Sequence, residues 1–169
     1  NRRQITFFED GDFQLYKHLV AEECREAGTA IWAYCLMPNH VHLILVPSAT
    51  EGLARGVAEA HRRYTLAVNQ RNKWRGYLWQ GRFASYPMDE LHLLRAVRYI
   101  LLNPVTAGLA ATAEAWPHSS ARAHIEGRSD GVVCLGPLQR RIEDWDQLLS
   151  HDPEADESHL LERHQRTGR

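Results

Sequence analysis

The sequence predicts an α+β domain on three observations. Apolar side chains recur every three or four residues over 13–24, 53–68 and 91–101, the spacing of one helix face. Two apolar runs, one over 31–37 and one from Val41 to Leu45, are separated by the turn pair Pro38-Asn39, the pattern of a β-hairpin. Gly28, Pro47, Pro87 and Gly136-Pro137 punctuate the joins between these segments.

In chain order, Phe13, Leu15, Tyr16, Leu19, Val20 and Cys24 define a helix over 13–27, with Asp12 as N-cap and Gly28 as its end. Strands at 30–37 and 40–46 follow, closed by Pro47. Leu53, Val57, Ala60, Tyr64, Ala67 and Val68 then mark a helix of about five turns, with Arg55, Arg62 and Arg63 on its exposed face. The Gly-punctuated aromatic stretch 76–86 suits a strand, or a strand entered through a bulge, and Pro87 stops it. Asp89 caps a helix over 90–102 whose Leu91, Leu94, Val97, Ile100 and Leu101 face inward. Asn103-Pro104 ends that helix, because the residue before proline is pushed out of the helical region. Trp116-Pro117-His118-Ser119-Ser120 reads as a loop feeding a short helix at 119–126, and Leu138, Ile142, Trp145, Leu148 and Leu149 suggest one more helix. No internal repeat is visible.

At 169 residues the chain fits one domain and a tail. The expected division is 1–128 for the domain and 129–169 for a C-terminal helix with an acidic, mobile tail. Cys24, Cys35 and Cys134 form no Cys-x-x-Cys pair, which argues against a disulfide framework or structural zinc and suits a reducing cytosol. No apolar stretch approaches the roughly 20 residues of a membrane span, and Asn1-Arg2-Arg3 is not followed by a signal core. A soluble, unexported protein is expected. The chain starts at Asn rather than Met, as a trimmed or partial sequence would.

The net charge of −1 conceals an asymmetry: residues 1–128 carry 15 Lys and Arg against 12 Asp and Glu, and residues 129–169 carry 5 against 9. Between 55 and 82, seven cations (Arg55, Arg62, Arg63, Arg71, Lys73, Arg75, Arg82) face a single acid, Glu59, with Tyr64, Trp74, Tyr77 and Trp79 interleaved. Cations beside aromatic faces suit single-stranded nucleic acid. They equally suit a solvated helix face with core aromatics.

The residues that speak most directly of chemistry are His40-Val41-His42. On a strand, positions i and i+2 share a face, so both imidazoles emerge together while Val41 faces the other way. That is half of a metal site, or two polar residues on a solvated sheet face. Tyr99 and Asn103 lie four residues apart on the third long helix and so share a face one turn apart. Tyr99 is a candidate nucleophile toward phosphorus and Asn103 a candidate third ligand beside His40 and His42. His61, His92, His118 and His124 suggest nothing more specific than surface or phosphate contacts.

With these residues assembled, the sequence resembles the single-tyrosine HUH transposases, and among them the REP-associated tyrosine transposases of bacteria. The resemblance is carried by Asn1-Arg2-Arg3-Gln4, by 34–43 with Met37-Pro38-Asn39-His40-Val41-His42, by Leu78-Trp79-Gln80-Gly81-Arg82-Phe83, by 98–109 with Tyr99 and Asn103-Pro104, and by Trp116-Pro117-His118-Ser119-Ser120. These segments fall in the family's order and span most of residues 1–125.

The resemblance implies an antiparallel sheet flanked by helices, in the ferredoxin-like or RRM-type layout of an HUH endonuclease fold. It implies metal binding by His40, His42 and Asn103, with Mg²⁺ or Mn²⁺, and a catalytic Tyr99 that forms a 5′-phosphotyrosine on single-stranded DNA beside imperfect REP hairpins. It also implies a strand ahead of Asn1, where this chain begins. Phosphate and hairpin contacts fall to Arg62, Arg63, Arg75 and Arg82, with Arg2 and Arg3 as further candidates, and base stacking to Trp79 or Phe83. The expected protein is a monomer in the bacterial cytoplasm, associated with the nucleoid. Its rivals are a dimeric mobile-element transposase, a DNA-binding module that has lost catalysis, and a metal hydrolase in which Tyr99 is structural. The acidic tail is expected to occupy the basic DNA groove and reduce activity.

Overall fold

The computed structural model describes residues 4–150. Arg2, Arg3 and the tail from 151 onward, to which DNA contact and autoinhibition were assigned above, lie outside the described residues. The elements run α1 (Asp10–Glu26), β1 (Thr29–Met37), β2 (His40–Pro47), α2 (Gly52–Asn72), α3 (Glu90–Thr106), a 3-10 turn at Ala113–Ala115, and the short helices α4 (Ala121–Ile125), α5 (Gly136–Gln139) and α6 (Trp145–Leu149). The fold is α+β, an antiparallel hairpin flanked by helices.

The hairpin separates two cores. Ile31, Tyr34 and Leu36 of β1, with Val41, Leu43 and Leu45 of β2, pack against Tyr16, Leu19, Val20, Ala60, Tyr64 and Val68 of α1 and α2. Ala33, Cys35, Met37 and Ile44 face the other way, onto Leu93, Ala96, Val97, Ile100 and Leu101 of α3. β1 is thus covered on both faces, which is why it reads as an unbroken apolar run rather than an alternating one. The register slips by one residue between Ile31 and Ala33. The extra residue, Trp32, reverses the parity, so that Ile31 and Tyr34 share a face. α2 approaches α1 closely at Gly56, where a Cβ would lie 3.1 Å from Cys24 Cα.

Four expectations require correction. Helix α1 starts earlier than 13, with Glu9 rather than Asp12 at the N-cap. Asp12 instead sits at the third helical position, fully buried, and accepts from Phe8 N at 2.8 Å, Glu9 N at 3.3 Å and Arg71. Burial alone would raise its pKa. The guanidinium and the two amides outweigh burial and hold it below the usual carboxylate range.

Residues 76–86 form no strand. The outer edge of β1 is occupied instead by 118–120, where Leu36 N donates to His118 O at 2.9 Å and Ser120 N to Tyr34 O at 3.0 Å, and by Cys134 N donating to Ile31 O at 2.8 Å. Gly76, with φ of +104°, turns the 76–86 segment away from extended pairing.

Helix α3 runs through Pro104 to Thr106. Its end is set by Gly108 at φ +69°, with Leu109 N donating to Pro104 O and Gly108 N to Val105 O. That bonding pattern is a Schellman cap, and it outweighs the local preference at Asn103. Finally, the helix expected over 138–149 is two short ones, α5 and α6. Val133, Leu138, Ile142 and Trp145 enter the two cores, so packing continues across residue 128. No helix among the described residues is long and apolar enough to cross a membrane.

Candidate active site

The turn that launches β2 is pinned from outside the hairpin. Thr6 N and Phe7 N both donate to Pro38 O, at 2.8 and 3.1 Å, and Thr6 Oγ1 donates to Asn39 O at 3.4 Å. Strand alternation then puts His40 and His42 on the same face as Ile44, the face that packs on α3. Their Nε2 atoms approach to 3.0 Å, with ring planes perpendicular. His40 Nδ1 lies 2.6 Å from Asn39 Oδ1. The edge-on ring of Tyr99 sits 5.7 Å from that of His42, bridging sheet and helix.

Burial lowers the pKa of His40, and burial followed by the neighbouring His40 pushes His42 down to about 3. Both imidazoles are therefore neutral near pH 7, the form that ligates metals. The two Nε2 atoms meet at 3.0 Å on one face of the strand, so the pair could offer two nitrogen donors to one cation. Among the described residues no group of three or more His, Cys, Asp and Glu forms a complete metal cluster. A cation held here would need oxygen donors beyond the pair, which suits Mg²⁺ or Mn²⁺ with an amide, water and phosphate.

Asn103 lies one turn beyond Tyr99, and its carbonyl accepts from Ala107 N at 2.9 Å. Because α3 continues past Pro104, Asn103 sits within regular helix, which fixes its place relative to Tyr99.

The DNA-contact expectations divide. Arg62 and Arg63 lie on α2, in the layer on the opposite face of the sheet from His40 and His42. Arg62 forks onto Glu59, and Arg63 bridges to Glu22 and Glu23 of α1. Arg71 is likewise held by Glu9 and Asp12. Arg63 and Arg71 tie α2 to α1 and the residue before it, Arg62 pairs within α2, and all three are engaged by carboxylates in this structure. Trp79 is likewise engaged within the protein. It stacks on His61 at 4.1 Å, donates Nε1 to His61 O at 3.2 Å, and stands among Phe7, Tyr16 and Tyr64. His61 covers one face of the Trp79 ring.

Lys73, Arg75 and Arg82, by contrast, have no carboxylate partner among the described residues and are exposed. Trp74 and Tyr86 beside them are exposed, Tyr77 is 99% exposed, and Phe83 is half-buried.

His61, His92, His118 and His124 are each held by contacts within the protein. His61 Nε2 meets Tyr16 OH at 2.9 Å, and burial takes its pKa down to about 4. His118 is buried against Phe13, with Nε2 at 3.2 Å from Asp10. His124 is buried, bonded to Trp32 O and stacked on Trp145. His92 pairs with the helix cap Asp89. The sequence reading passed over Asn39. Its signal was its place in the turn, one residue before a candidate ligand.

Comparison with known proteins adds family and fold. Residues 1–103 match the family model described as "Transposase IS200 like". Over 109 residues the chain is 25% identical to the REP-associated tyrosine transposase of Escherichia coli K12. That match covers 64% of this chain and spans 64% of the length of the curated relative. A solved structure of a REP-associated tyrosine transposase bound to a REP hairpin superposes with a TM-score of 0.63 at 23% identity, covering 79% of each chain.

Proposed function

The chain belongs to the IS200-like transposase family, and from that membership we propose that it is a metal-dependent tyrosine endonuclease and strand transferase. Its substrate is single-stranded DNA at REP-type hairpins. The observation that carries the reading is the convergence of the two Nε2 atoms at 3.0 Å, with the Tyr99 ring 5.7 Å from His42. His40, His42 and the Asn103 side chain would hold Mg²⁺ or Mn²⁺. When bound, the cation draws charge from the scissile phosphate and orients it.

Tyr99 Oη forms a bond to phosphorus as the bond from phosphorus to the 3′ oxygen breaks. The phenolic proton is lost to solvent and the departing oxygen is protonated to a 3′-OH. The DNA then carries a 5′-phosphotyrosine. Because the phosphodiester energy is retained in that linkage, a second 3′-OH can reverse the step and join strands without ATP. Neutral histidines suit this work, since protonated rings would repel the cation.

The DNA strand runs along 73–86. Lys73, Arg75 and Arg82 meet phosphates, and the exposed Trp74 and Tyr77, with Phe83, offer faces to bases. No Asp or Glu occurs between Glu59 and Asp89 to oppose them. Trp79 fixes the segment to α2. The protein acts as a monomer in the bacterial cytoplasm, close to the nucleoid.

The test is cleavage of labelled single-stranded hairpins with Mn²⁺. The expected products are a free 3′-OH fragment and a fragment whose 5′ end migrates with protein on a denaturing gel. A 5′-phosphate with no attached protein would support the metal hydrolase reading instead.

A further inference from the structure

We propose that Asn39 is a positioning residue for the histidine pair: its side-chain oxygen holds the His40 proton on Nδ1 and so leaves the Nε2 lone pair aimed at the shared site. The proposal rests on the metal-site reading above.

A neutral imidazole carries one N–H and one lone pair, and an amide oxygen can only accept. At 2.6 Å from Asn39 Oδ1, His40 Nδ1 must therefore be the donor, and Nε2 carries the lone pair. In the 3.0 Å contact His40 then accepts from His42 Nε2–H, so a cation would take that proton's place and His42 would carry its proton on Nδ1. The two rings are thus unequal, the His40 tautomer being set by its neighbour in sequence. Metal-ligating histidines commonly donate their far N–H to an oxygen, which fixes tautomer and ring direction.

Asn39 is suited to this because its own backbone is held. Pro38 O accepts from Thr6 and Phe7, and Asn39 O accepts from Thr6 Oγ1. The acceptor thus stands on a turn anchored by the segment before α1, and it shares no backbone bond with α3. Lys73 is the one non-glycine residue with positive φ among the described residues, so alanine at position 39 brings no backbone strain.

The experiment has two arms. In the metal-free ¹⁵N-labelled protein, long-range ¹H–¹⁵N correlations report which His40 nitrogen is protonated. Wild type is expected to show Nδ1–H, and Asn39→Ala a shift toward Nε2–H. Titration with Mn²⁺ alone is expected to show affinity about 10–100-fold weaker in Asn39→Ala and restored within a few-fold in Asn39→Asp, which keeps the acceptor. A wild-type His40 protonated on Nε2 overturns the proposal. So does equal Mn²⁺ affinity in wild type and Asn39→Ala, or an Asn39→Asp that fails to rescue. If Asn39→Ala does not fold, the wild-type tautomer and the Asn39→Asp affinity decide alone. Failure of wild type itself to bind Mn²⁺ removes the metal-site reading and the proposal together, whereas binding unaffected by Asn39→Ala removes the proposal only.

Discussion

Val41, Leu43 and Leu45 point from β2 into the core formed with α1 and α2, while His40, His42 and Ile44, interleaved with them, point toward α3. One strand therefore serves two ends. Toward α1 and α2 it meets Tyr16, Tyr64 and Leu36, all fully or almost fully buried, and it contributes only apolar groups. Toward α3 its first two inward positions are given to imidazoles, and the facing helix supplies a tyrosine where another leucine would pack. The period of two keeps these tasks apart, so substitutions on one face should change stability and on the other chemistry.

The largest separation is expected from Tyr99→Phe. Removing the phenolic oxygen should cut covalent DNA attachment by roughly 10³-fold or more while shifting unfolding free energy by less than about 0.5 kcal/mol; a gel assay and denaturant melts read the two. Leu36→Ala tests the opposite face. Leu36 is fully buried and pairs in register with Val41, so the truncation should cost about 2–5 kcal/mol. Comparable loss from both variants would break the distinction between faces.

A smaller effect is expected from His61. Its folded-state pKa of about 4 lies below the ordinary 6.5 because burial disfavours the charged ring. As pH falls from 6.5 the unfolded chain takes up the proton first, so stability is lost down to about pH 4 and no further. The loss amounts to roughly 3 kcal/mol in full. His61→Gln should flatten that part of the curve, with the melting temperature followed across the pH range. The smallest effect distinguishes two cations of one basic run. Arg75→Ala should lower the slope of log affinity against log salt by about 0.7, and Arg63→Ala, which removes a bridge between α1 and α2, should leave that slope unchanged.

The hairpin, the shared face of His40 and His42, and the inward places of Val97, Ile100 and Leu101 on α3 were legible in the sequence because each is a local period, whereas Leu91, expected inward, is exposed and Leu93 and Ala96 take the inward places. What was not legible depended on distant partners. Nothing near Arg63 announces that Glu22 and Glu23 will meet it from another helix, so a run of cations looked like a DNA surface throughout. The 76–86 segment has the composition of a strand, but the edge of β1 is taken by 118–120. The packing of Trp79 on His61 likewise joins residues 18 apart in sequence. The end of α3 was misplaced for a different reason, since the signal at Pro104 was read and the stronger one at Gly108 was not.

The account stands most directly on where DNA becomes attached. Protein incubated with Mn²⁺ and a hairpin oligonucleotide, then digested and analysed by mass spectrometry, should yield a nucleotide-bearing peptide containing Tyr99, absent from Tyr99→Phe. Attachment at the exposed Tyr77 or Tyr86, or cleavage that leaves Tyr99 unmodified, would contradict the assignment of chemistry to the α3 face of the sheet.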